Sequence, residues 1–151
     1  MSVVLALALA AGARDTIGVF GGWGAFRDAE PARCYAIAQP VDPSHRAGFA
    51  SIATWPGRNV RGQLHVRLSR ALGAAPRVTL SIGERRFDLT ASGSDAWAPD
   101  ARTDAAISAA MREGRSMSVE GVDRAGAPFA DSYALAGAAT AIDAAALACR
   151  R

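Results

Sequence analysis

Lysine is missing from this chain: all 17 basic residues are arginine. That uniformity looks like GC-rich codon usage before it looks like a selected phosphate site, and a lysine-bearing P-loop is excluded outright. Cysteine occurs twice, as Cys34 and Cys149, 115 positions apart, which excludes a CxxC redox motif and the close ligand pairs of zinc sites. Histidine also occurs twice, as His45 and His65. No G-x-S-x-G, paired glutamates or metal-ligand spacing accompanies them, so no reaction and no cofactor can be read from the chain. The longest apolar run, Val3 to Ala11, is too short to cross a bilayer as a helix, so no integral membrane span is expected. A net charge of +3 is too small to argue for nucleic acid.

What is present suits one domain of 151 residues with a core of scattered branched and aromatic side chains. The charge is unevenly spread. Residues 43–86 carry eight arginines against Glu84 alone, whereas residues 87–151 carry six arginines against nine acids. At the start, the apolar run followed by Ala11-Gly12-Ala13 reads as a secretory signal over 1–13, leaving a domain over 14–151. No basic residue precedes the run, and the alternative is an apolar element kept in the fold.

From Thr16 to about Leu89 the pattern is that of short antiparallel strands. In "QLHVRLS" Leu64, Val66 and Leu68 face one way, while Gln63, His65 and Arg67 face the other. "RVTLSIGERRFDLTA" repeats the alternation, with Gly83-Glu84 suited to a two-residue hairpin turn. A first helix is predicted over 104–113, capped by Thr103, with Ile107, Ala110 and Met111 inward. A second hairpin turns at "DRAG". The last helix follows Gly137, with Ala138, Ile142, Ala145, Ala146 and Cys149 on its inner face. The fold class is mainly β, a sandwich-like antiparallel sheet with two packed helices.

Export favours a Cys34–Cys149 bridge tying the last helix to an early strand, whereas a reducing compartment leaves two buried thiols. Arg67, Arg77 and Arg86 stand opposite the apolar set, so one sheet face can present several guanidiniums to an anion; the plain alternative is a solvated face. Trp55 and Trp97 flank proline-marked turns, as exposed stacking indoles or as lids on the core, and Trp23 reads as core. Asp131 shares strand parity with Phe129, Tyr133 and Leu135. Either the strand begins after it or its carboxylate accepts buried hydrogen bonds. Ser44, His45 and His65 keep a hydrolase open on paper.

"GVFGGWGAFRD", "RCYAIAQP", "AISAAMREGRSMSVEG" and "DSYALAGAATAIDAAALAC", in that order and spacing, resemble the invasion-associated locus B family of exported proteobacterial proteins. The resemblance implies an exported β-rich domain, periplasmic or envelope-attached, in a family named for host-cell entry; in that setting the arginine face suits an anionic envelope component, or an envelope protein, as partner. It makes Trp23, Cys34, Tyr35, Tyr133, Gly137 and Cys149 framework positions and supplies no catalytic residue. Asp131 falls within the same motif, and for that reason a structural hydrogen-bond anchor is preferred to catalysis there. Family members commonly carry an aromatic after the helix-starting glycine, where this chain has Ala138.

Overall fold

Alternating strands separated by glycine turns assemble, in the computed structural model, into one ten-stranded antiparallel sheet that curls around its core. The structure describes residues 13–150, so the expected leader lies outside the described residues except for Ala13. Five strands form a meander: β1 (Arg14–Phe20), β2 (Trp23–Asp28), β3 (Arg33–Ala38), β4 (Phe49–Trp55) and β5 (Val60–Arg67). Then come β6 (Val78–Ile82), β7 (Arg85–Ser92), β8 (Asp95–Trp97), helix α1 (Ala101–Glu113), β9 (Ser116–Val122), β10 (Pro128–Ala134) and helix α2 (Ala138–Ala148). The spatial order is β1-β2-β3-β4-β5-β8-β7-β6-β9-β10.

The period-two reading of β5, β6 and β7 holds. Leu64, Val66, Val78, Leu80 and Leu89 are buried, while Arg67 and Arg86 are exposed. The β6–β7 hairpin turns at Gly83 with a φ of +58°, as its two-residue loop requires. In the second hairpin, Asp123 closes the turn by accepting from the backbone N–H groups of Ala125 and Ala127, both at 2.9 Å.

Both helices depart from expectation in detail. Helix α1 begins at Ala101 and not at Asp104, because the Asp100 carboxylate accepts from Thr103 N at 2.7 Å and replaces Thr103 as the cap. Asp104 turns toward the sheet and accepts from Leu64 N at 2.9 Å, and burial pushes its carboxyl above the ordinary range. In α2 the buried face is Ala138, Ala141, Ile142 and Ala145, whereas Ala146 is exposed. Alanine is nearly as apolar on one side of a helix as on another, so periodicity could not choose between them. Ile107, Ala110 and Met111 are buried as predicted.

Candidate functional site

Asp131 is fully buried in β10, with its carboxylate sunk among the inward residues Phe129 and Tyr133. It accepts from Ser69 N at 2.8 Å and from Ser69 Oγ at 2.5 Å. His45 Nδ1 stands 3.1 Å from Asp131 Oδ1, off the line of a hydrogen bond and without another partner among the described residues. The buried Tyr133 hydroxyl likewise has no hydrogen-bond partner among the described residues; burial, and then the charge of Asp131, push its phenol upward. The carboxylate therefore ties the Ser69 loop to β10, which is the anchoring role its parity suggested. Asp131→Ala leaves the Ser69 donors without an acceptor and is expected to destabilise the fold by about 3 kcal/mol in urea unfolding, against about 1 kcal/mol for Ser69→Ala.

A hydrolytic triad needs a hydroxyl on an imidazole that is itself held by a carboxylate. Around His45 the order is different, since Ser69 Oγ bonds the carboxylate. Ser44 Oγ bonds Asp42 Oδ1 at 2.8 Å. His65 Nε2 meets Asp95 Oδ1 at 2.9 Å, its ring stacks on Trp97 at 5.4 Å, and Phe49 meets it edge-on at 5.3 Å. Among the described residues neither imidazole bonds a hydroxyl.

The three candidate arginines share the outward face but not one place on it. Arg67 Nε is bound to Asp95 Oδ1 at 2.9 Å. Across the β5–β8–β7 register Arg67 lies level with Ser92, six residues along β7 from Arg86 and so about 20 Å away. Arg77, just before β6, stands three strands from Arg67.

A different set converges on the same face. Register places Phe26, Tyr35, Ala53 and Gln63 side by side across β2 to β5. The Arg33 guanidinium lies 4.1 Å from the Tyr35 ring centre and 5.1 Å from that of Trp55. Arg58, in the turn after β4, lies 4.7 Å from the Trp55 ring centre. The two guanidinium carbons are therefore within about 10 Å of one another. Asp28 accepts from Arg14 at 3.0 Å and Arg33 at 2.8 Å. Burial pushes its carboxyl up, but these two arginines outweigh burial and hold it below the usual range. Arg58 has no described carboxylate within ion-pairing reach. The alternation of Arg33 and Tyr35 was visible in the sequence; the strand register that brings Trp55 and Arg58 to them was not.

Of the framework residues, Trp23, Cys34, Gly137 and Cys149 are gathered where α2 meets the sheet, whereas Tyr35 lies on the outward face and Tyr133 beside Asp131. Cys34, fully buried in β3, is bonded to Cys149 just past α2. Trp23, also fully buried, donates from Nε1 to Ala134 O at 2.8 Å. Gly137 holds a φ of +87° at the entry to α2.

No family model matches the chain, and no curated protein matches it. Among solved structures it is similar to the crystal structure of invasion-associated protein B from Bartonella henselae, with a TM-score of 0.63 at 17% identity, over 85% of this chain and 93% of that one. The fold is thus that of invasion-associated protein B, as the sequence motifs implied.

Proposed function

We propose that this chain is an exported, non-enzymatic binding protein of the bacterial envelope, and that its outward sheet face grips an anionic saccharide. The observation that carries the reading is Trp55 with both Arg33 and Arg58 packed on its ring, Arg33 also covering the buried Tyr35. Aromatic faces give a sugar ring a flat apolar contact, and guanidinium edges match the geometry of carboxylate and phosphate. The disulfide and the leader-like start support an oxidising compartment outside the cytoplasm. The likeness to invasion-associated protein B supports an envelope setting without naming a ligand.

Retention of the purified protein on washed envelope fractions tests the reading. Retention is expected to fall as salt rises, and Trp55→Ala with Arg58→Glu is expected to reduce it at least tenfold. Neutralising Arg67, Arg77 and Arg86 together is expected to have a smaller effect, because Arg67 is already paired and the three are dispersed. Unchanged retention in the Trp55/Arg58 variant overturns the site. Turnover of an ester, amide or glycoside that His45→Ala or His65→Ala abolishes without unfolding overturns the non-enzymatic reading.

A further inference from the structure

On the opposite side of the sheet the two helices do not close over the strands beneath them. They leave a trough of about 690 Å³, within the roughly 300–1,000 Å³ range of small-molecule sites. Its floor is Ile52 of β4 together with the Cys34–Cys149 bridge, and its walls are Ala105 and Ala109 of α1 and Ala145 and Ala146 of α2. Because these side chains are small, they leave a slot that larger residues would have filled. Leu147 of α2, 59% exposed, extends the apolar lining to the surface.

The rim carries charge of mainly one sign. Arg112 and Asp143 form a two-bond ion pair, at 2.6 and 3.1 Å, from α1 to α2. Arg61 and Arg150 also line the trough, and among the described residues neither has a carboxylate within ion-pairing distance. At Gly62, beside Arg61, a φ of +66° and open space where a Cβ would point keep the mouth clear. An apolar slot ending in guanidiniums that no described carboxylate pairs is complementary to an alkyl chain with an anionic head.

We propose that the trough between α1 and α2 is a binding site for a single-chain anionic amphiphile, an acyl or alkyl chain ending in phosphate or carboxylate. The chain lies over the disulfide between the alanine walls, and the head meets Arg61 and Arg150. This site is separate from the outward face and stands or falls independently of it.

Titration calorimetry of the full chain with dodecyl phosphate, kept below micelle formation, tests the proposal. One saturable site is expected. Each methylene buried multiplies affinity about fourfold, so octyl phosphate, four methylenes shorter, is expected to bind about 250-fold more weakly. Dodecanol is expected to bind at least tenfold more weakly than dodecyl phosphate, and inorganic phosphate not measurably. Ala109 is exposed in the free protein, so Ala109→Trp fills the slot from the solvent side and is expected to weaken dodecyl phosphate at least tenfold with unchanged thermal unfolding. Arg61→Ala is expected to weaken dodecyl phosphate and leave dodecanol unaffected. Absence of saturable dodecyl phosphate binding overturns the proposal. So does equal binding by folded Ala109→Trp, or a peptide of residues 1–13 binding where dodecyl phosphate does not.

Discussion

Replacing Cys34 and Cys149 together by alanine is expected to lower stability by about 4–5 kcal/mol, the chain-entropy value for a loop of 115 residues. For a domain of this size that corresponds to a fall of about 10–20 °C in the thermal midpoint. The bridge lies at the floor of the fold, with Cys34 fully buried and Cys149 at the end of a helix whose inner face is almost all alanine. Alanine buries little area per residue, so α2 gains less from packing than a leucine-rich helix of the same length. The covalent link compensates for that shortfall. Comparing thermal unfolding of the oxidised protein with the double variant checks the claim, and a difference under about 2 °C would mean that α2 holds its place without the bridge.

Gly137→Ala is expected to destabilise the fold by about 4 kcal/mol or more, far beyond the roughly 1 kcal/mol that a left-handed backbone alone costs a side chain. A Cβ at Gly137 would fall 1.9 Å from Phe20 O and 2.9 Å from Gly21 N. Gly21 is equally confined, with a φ of +56° and an ideal Cβ position 2.3 Å from Ala136 O. Two backbones thus approach so closely at the β1–β2 turn and the α2 entry that neither has room for a methyl group. The adjacent Gly22 meets nothing within 4 Å, so Gly22→Ala serves as a control expected to stay within about 0.5 kcal/mol of the parent. Urea unfolding of the two variants separates the readings. Equal stabilities would mean that the α2 entry can shift to make room.

What the sequence revealed follows from how strongly each feature is encoded locally. Period-two alternation made β5, β6 and β7 legible because each has a buried and an exposed side. The placement of β8 was not legible: a three-residue strand carries too little pattern, and its partners β5 and β7 are known only from register. The inner face of α2 was blurred by alanine. Parity at Asp131 leaves a later strand start or a buried, hydrogen-bonded carboxylate, the family-like motif favours the second, and nothing local points to Ser69, 62 positions away. Parity alone groups Arg67, Arg77 and Arg86, and parity fixes a face without fixing a distance. The grouping of Arg33, Tyr35, Trp55 and Arg58 depends on cross-strand register and on the turn after β4, neither of which can be counted along the chain.

The three residues of β8 also join the two halves of the sheet. Among the described residues, Asp95–Trp97 is the strand that ladders the β1–β5 meander to the half built from β7, β6, β9 and β10. Asp95 is held on its outer side by His65 and Arg67, so these side chains clamp the join as well as decorating a surface. Helix α1 starts four residues after β8 ends, and any parting of that seam carries one wall of the trough with it. The same two halves are also tied away from β8, by Trp23 to Ala134 and by Ser69 to Asp131, so the short strand shares the load of that seam with buried side chains.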